Sequence, residues 1–430
     1  MFRKLSDKLN PREESLPSYL IYAQSLSSIA PLGSASAYLT YALYYSYAST
    51  FLASIVGSLI YFLWVLIGYR YSKIIGTTGG IYDFAKSAKG QMVGSLAGWF
   101  YWISYAIYLP SATTYLVGIV LPSEFQLPIF YLSLIEISIP IALTLLLLTG
   151  VKPPLFYTFI STILEITLLI ILGIKVLSIT GISGSPFQLS VNPTNFISGS
   201  LAVGFTLAGG GASFFLGYEA KGRGKTVGKS YAIAYWIAAV AIIFASYFEI
   251  AFAGFSNQGV SSLLSITDYP GFYISQKLMG YDFSLIFFIL TINSLIGSVT
   301  AAYVALSRLT FTMLNRNMIL SILIIAVFFL TINLIAGTTG NYFEVYDLTT
   351  ASSLISLYVS HVIVSAVYPF FAKKNYRSGL LDILLGISAS FLMGYGVYSS
   401  VNMIGVYTLI AGVIMAIIHQ TLLKKMNSKG

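Results

Sequence analysis

Apolar residues fall in long runs separated by short polar segments, and this pattern predicts twelve membrane-length helices of about twenty residues or more. They lie near 18–45, 47–69, 93–120, 127–149, 154–176, 196–219, 230–254, 283–306, 318–337, 348–371, 379–399 and 402–423. Two runs are interrupted. In the first, Ala30-Pro31-Leu32-Gly33-Ser34-Ala35 places a residue without a backbone donor beside a flexible one. In the sixth, three consecutive glycines, Gly209, Gly210 and Gly211, stand inside VGFTLAGGGASFFLGYE. Glycine is a weak helix former, and backbone left uncovered in hydrocarbon is tolerated only where it is packed in protein or lines a wet cavity. The first feature reads as a proline kink or a broken helix. The second reads as a packing seam or a broken helix with a ligand at the break.

Composition fixes the class. Of 430 residues, 57% are hydrophobic and only 9% charged, so the chain is predicted to be an all-α polytopic membrane protein. Placing the N-terminus inside puts 21 of the 23 Lys and Arg on inner segments, leaving Lys175 and Lys277 outside. The positive-inside rule then predicts both termini cytoplasmic and a multi-pass location in the cell membrane. Residues 1–17 form a cytoplasmic N-terminal segment, with no A-x-A-like cleavage site before the first span, and 424–430 a cytoplasmic tail. The formal charge of +9 is a topology signal; spread over seven short segments, it argues against a nucleic-acid partner. There are no cysteines, hence no disulfide or thiolate chemistry. The lipid bilayer is the expected surrounding, and no obligatory protein partner is evident.

Charged residues inside spans are costly and become functional candidates. Glu136 and Glu165 sit mid-span; Glu249 sits near the outer end of its span, where water or a loop is expected to reach it. Asn293, Ser294, Ser298 and Thr300 share the eighth span and most simply bond neighbouring helices. His361 and His419 are isolated and read as packed core residues. Gly90, Gly94 and Gly98 have the spacing of a close helix contact. The segment 255–282 is expected to hold a short lid helix. Gly224-Lys225-Thr226 resembles the end of a phosphate-binding loop, but Glu219 stands where that loop needs glycine. No His-Glu-x-x-His and no serine–histidine pairing is present, so no catalytic residue, metal ligand or cofactor is assigned and the chain is not expected to be an enzyme. A channel or a transport-deficient sensor is a further class.

The interrupted spans are the first and the sixth. Five spans is an odd number, so 18–181 (spans 1–5) and 196–371 (spans 6–10) form two halves of opposite orientation, followed by a further pair at 379–423. Paired interruptions in inverted halves point to a transporter binding site at mid-membrane. Free N–H groups at a half-helix start suit a carboxylate, and unwound carbonyls suit an ammonium group. An amino acid or amine substrate fits both.

These motifs carry a resemblance. Ala30 to Ala35, Thr78-Gly79-Gly80-Ile81-Tyr82, Gly98-Trp99, Phe205 to Lys221 and Ser307-Arg308-Leu309 are similar, in order and spacing, to motifs of the amino acid–polyamine–organocation (APC) superfamily. The resemblance covers nearly the whole chain. It implies the leucine-transporter-type 5+5 inverted repeat and a substrate site at Ala30, Pro31, Gly33, Ser34, Ala35, Phe205, Ala208, Gly209, Gly210 and Gly211. The expected function is secondary active transport of an amino acid or related amine by alternating access, as a proton-coupled symporter; an exchanger or a sodium-coupled symporter of the same fold is the alternative. Ala35 replaces the family's second glycine, and Gly210 stands where many members carry a bulky aromatic, which would enlarge the pocket or alter the gate. Glu165 falls where some proton-coupled members place a lysine. It can take up and release a proton, coordinate sodium with Ser298, or serve as a structural hydrogen-bonding group; proton coupling is the preferred role.

Overall fold

The computed structural model describes residues 9–315, 317–376 and 379–427. Parts of both terminal segments, with Arg3, Lys4, Lys8, Arg316, Arg377 and Lys429 of the topology signal, lie outside the described residues. The described residues are helical throughout, apart from loops and one isolated bridge between Leu16 and Ala220. Among the described residues eleven helices are long and apolar enough to cross a membrane, the first being one run of 57 residues, Ser18–Ile74.

That run is not a straight rod. At about 1.5 Å per residue it would reach roughly 85 Å, far beyond the ~30 Å hydrocarbon core. It is divided into α1 (Ser18–Ile29), α2 (Leu39–Ser46) and α3 (Thr50–Ile74). Between α2 and α3, Tyr47 takes a positive φ of 45°, and the Thr50 hydroxyl donates back to the carbonyls of Tyr47 and Ala42. The chain then continues through α4 (Ile81–Lys89), α5 (Gln91–Tyr115), α6 (Ile129–Leu148), α7 (Lys152–Thr180) and α8 (Pro193–Thr206). It goes on through α9 (Arg223–Phe252), α10 (Asn257–Ile266), α11 (Pro270–Met279) and α12 (Tyr281–Thr310). It closes with α13 (Met318–Thr339), α14 (Tyr342–Asn375), α15 (Leu380–Ser400) and α16 (Met403–Asn427).

The centre of the bundle is read from burial. In α5 and α8, 78% of the most apolar window is enclosed, against 22% in α16 and 28% in α6 and α15. The glycine-interrupted run Pro193–Leu216 is thus enclosed, Ser18–Ile74 is half enclosed, and the last pair lies at the rim. Aromatic rings fill the middle: Trp64, Tyr101, Tyr231 and Tyr235 are fully buried, and His361 stacks on Trp64 at 3.8 Å. Ser95 and the Met313 carbonyl bond His419, so both histidines are packed core residues.

Two local expectations change. Gly94 and Gly98 do seat neighbours, since a methyl at either would fall 2.7 Å from Lys86 Cβ or 2.9 Å from Tyr82 Cδ2 and Met313 Sδ. Gly90 touches nothing; its φ of 89° ends α4, so it belongs to a turn and not to a packing stripe. The expected single lid helix is two helices, α10 and α11.

One end of the bundle is tied shut. The Glu14 and Leu16 amides donate to the Tyr218 and Glu219 carbonyls at 3.1 and 2.8 Å, and the Lys221 amide donates to Leu16 at 2.8 Å. Beneath this strap Arg308 Nε donates to Glu219 Oε2 at 2.9 Å, Nη2 to Oε1 at 3.4 Å, and Nη1 to the Ser307 hydroxyl at 3.0 Å. Both charged residues are almost fully buried. Removing one partner leaves an uncompensated buried charge, so Arg308→Met is expected to cost about 3–5 kcal/mol in equilibrium unfolding. Arg308→Met with Glu219→Leu should recover most of that, and a double variant as unstable as the single would refute this account of the pair.

Candidate functional site

The first interruption follows from one proline. Pro31 cannot donate to Ser27, and its ring disfavours a right-handed helical conformation at the residue before it. Ala30 accordingly takes φ 52°, ψ 67°, a left-handed conformation that costs an alanine about 1–2 kcal/mol. Pro31 then opens a new turn, Pro31–Gly33, at the position where a missing N–H is harmless, and a widened π turn covers Ser34–Tyr38. Side chains take up the loosened backbone groups. The Ser34 hydroxyl donates to the Ile29 carbonyl at 2.6 Å, Ser298 donates to the Ser28 carbonyl at 2.9 Å, and the Gly33 amide donates to Ser294 at 3.2 Å.

The second interruption is a change of helix type. After α8 the chain tightens into a nine-residue 3₁₀ segment, Ala208–Leu216, longer than such helices usually run. Its carbonyls turn to side chains. Tyr61 donates to Ala208 at 3.2 Å, while Ser28 and Tyr105 donate to Gly209 at 2.6 and 3.1 Å. Gln24 donates to Ala301 at 2.8 Å and more weakly to Ala212. The two interruptions meet backbone to backbone: a methyl on Gly209 would lie 2.0 Å from the Ser28 carbonyl oxygen.

Beside this crossing lies a cavity of about 450 Å³, a size that suits a small organic molecule. Ser34, Phe205, Ala208 and Gly209 of the expected site line it, joined by Ser28, Ile29 and Thr206 from the same two interruptions. Ala30, Pro31, Gly33, Ala35, Gly210 and Gly211 do not line it; they shape the backbone behind. Gly210 does not enlarge the cavity, because the Tyr231 ring fills that space, 2.7 Å from where a Cβ would stand. Tyrosines make up much of the remaining wall: Tyr38, Tyr41 and Tyr45 from the first run, Tyr105 and Tyr108 from α5, and Tyr346 and Tyr358 from α14. A spacing of three or four residues on the first run and on α5 was the available signal there; Tyr346 and Tyr358, twelve residues apart, carried none. No Lys or Arg lines the cavity, and Asp347 is its one carboxylate. Tyr41, Tyr45 and Asp347 are exposed, so the mouth faces the end opposite the strap.

Glu165, on α7, stands behind the first interruption and not in the cavity wall. It accepts from Ser161 and Ser294, each at 2.5 Å, and the Leu32 amide also points at it. Ser294 in turn accepts from Gly33, so a single hydroxyl separates the carboxylate from the start of the second half-helix. Asn293 donates to Ser161 and accepts from Tyr157. Ser298 belongs to a different group, bonded to Ser28 and to Tyr108 at 2.7 Å. The structure thus joins Glu165 to Ser294 and does not join it to Ser298.

The two other mid-span carboxylates lie elsewhere. Glu136 is buried between α5, α6 and α13, where Thr114 donates to one of its oxygens at 2.7 Å and Asn333 donates to its carbonyl at 2.9 Å. Glu249, expected to be reached by water or a loop, is 1% exposed, with the segment at Gly271 against it and no hydrogen-bond partner for either oxygen. No group of three or more metal-binding side chains occurs among the described residues.

Known families do not extend this picture: a scan of family models matches none, and a search of the curated proteins finds no similar chain.

The contact at Gly209 yields a direct test. Gly209→Ala forces a methyl into a backbone oxygen that cannot rotate away, so a loss at or above the ~1–3 kcal/mol typical of overpacking is expected in thermal unfolding. Gly394→Ala, where nothing lies within 4 Å, serves as the control and should be neutral or slightly stabilising. Equal melting of the two variants would remove the crossing from its structural role.

Proposed function

We propose that the chain is a secondary active transporter of the amino acid–polyamine–organocation type, carrying a small amino acid or amine across the cell membrane by alternating access. The observation that supports this most strongly is the crossing of two interrupted helices at Ser28 and Gly209 beside a cavity that no charged side chain other than Asp347 lines. Such a site presents backbone dipoles and hydroxyls, which recognise a zwitterion or an ammonium group without a fixed counter-ion.

In this reading the 57-residue run counts as two spans divided at Tyr47, which makes twelve in all, in two inverted halves of five and a final pair. Both termini then lie in the cytoplasm, the strapped end faces inward, and the cavity mouth opens outward. Glu165 couples transport to protons. It touches the first interruption through Ser294 and Leu32, so gain or loss of its proton alters the hydrogen bonds that hold the second half-helix of span 1.

Uptake into proteoliposomes provides the test. Screened amino acids and amines should give saturable uptake that rises with an imposed inward proton gradient, and Glu165→Gln should abolish the response to the gradient while leaving substrate exchange at zero gradient. Wild-type uptake indifferent to the gradient would remove the coupling role, and the absence of saturable uptake or counterflow for every compound would remove the transporter reading itself.

A further inference from the structure

Glu249 is a buried charge-bearing group that the transport reading leaves without a task. It sits in the last turn of α9, and neither carboxyl oxygen has a hydrogen-bond partner. Its cover is the lid. A methyl built on Gly271, in the first turn of α11, would lie 3.3 Å from Glu249 Oε1 and 3.0 Å from Ser36 Cβ. The first turn of the lid helix therefore rests directly on Glu249 and on the widened turn of the first run. Two further bonds dock the lid there: Thr40 donates to the Asp268 carbonyl at 2.9 Å, and Tyr44 to the Asp268 carboxylate at 3.3 Å.

The surroundings offer Glu249 no charge. The ionisable groups on the elements packed about it include Tyr38, Tyr44 and Tyr47 on the first run, Tyr247 on α9 itself, where it donates to the Ser183 carbonyl, Asp268, Tyr269, Tyr273 and Lys277 on the lid segment, and Lys175 on α7. The near turns of α3 carry none. Tyr38 packs on Tyr115, Asp268 accepts from Tyr44, Lys277 lies over the Tyr273 ring, and Lys175 is exposed. An ionised carboxylate deprived of water, counter-ion and donor is among the most expensive groups a protein can bury, whereas the neutral acid is tolerable.

We infer that Glu249 is a proton-binding site covered by the lid: it holds its proton while α11 is docked, and releases it when the lid lifts and water enters. The reaction is a simple acid dissociation, with the proton passing to water at the mouth of the opened lid. Acid at that face keeps the lid down, and alkali raises it. This goes beyond the transport proposal and does not rest on it, since lid position is measurable without substrate.

The test uses the full chain in lipid nanodiscs. With no cysteine present, Lys277→Cys and Thr338→Cys introduce one spin label on the exposed face of the lid and one at the near end of α13. Pulsed electron-resonance distances should show an undocked population whose ratio to the docked one grows by up to about tenfold per pH unit over the titration, the limit for one proton. In Glu249→Gln the lid should stay docked at every pH. Infrared difference spectra of the unlabelled wild type read the acid directly: a protonated-carboxyl band should vanish over the pH range in which the lid lifts. The inference is overturned if the wild-type distances ignore pH, if the lid docks more tightly as pH rises, or if Glu249→Gln titrates like the wild type.

Discussion

An interrupted helix inside an apolar bundle has backbone groups that no water reaches, and this chain resolves that problem by crossing two of them. Ser28 and Gly209 approach so closely that only a hydrogen fits between the second α-carbon and the first carbonyl. The remaining groups are taken up by hydroxyls: Ser28 and Tyr105 on Gly209, Tyr61 on Ala208, Ser298 on Ser28, and Ser34 on Ile29. Neutral donors of this kind satisfy backbone without introducing charge. The cavity beside the crossing is consequently polar at its floor, aromatic on its walls, and without a basic residue.

Asymmetry between the two ends follows from where charge is spent. Below the crossing, the strap joins Glu14 and Leu16 to residues 218–221, and the pair Arg308–Glu219 ties α12 to the same segment. Above it there are tyrosines, the exposed Asp347 and a lid whose side-chain bonds run to Asp268 and from Gln276 to Glu124. The first end has bidentate ionic and backbone links, and the second is held by weaker and more exposed contacts. Local opening favours the second end for that reason.

Much of the architecture was legible because hydrophobic run length answers to bilayer thickness and proline to helix geometry. Pro31 and Gly209 could be read as interruptions, since each acts on its own backbone. The cavity wall could not be read in the same way. Tyr105 and Tyr108 were visible as aromatic residues on one helix, but whether a ring lines a space or fills it depends on helices far away in sequence. Gly210 illustrates the limit: its missing side chain is compensated by Tyr231, twenty-one residues on. Which hydroxyl of α12 meets Glu165 was likewise not legible, because Ser294 and Ser298 are one turn apart and only the packing of α7 against α12 brings Ser294 to it. For Glu249 the sequence left water and a loop as alternatives; the structure shows the loop element at Gly271, whose docking no local pattern encodes.

The crossing also dictates an order of assembly. The carbonyl of Ser28 is made early in synthesis, whereas the groups that complete it, Gly209 and the hydroxyl of Ser298, are made after most of the intervening helices. Until then the first run must wait at its membrane position with an unfinished left-handed turn at Ala30. The bridge from Leu16 to Ala220 has the same character, closing a loop of roughly two hundred residues whose closure entropy is met only when the sixth run arrives. Biogenesis of this chain therefore has a commitment step in its second half: a ribosome stalled before residue 209 holds a set of helices with no seat for their own centre.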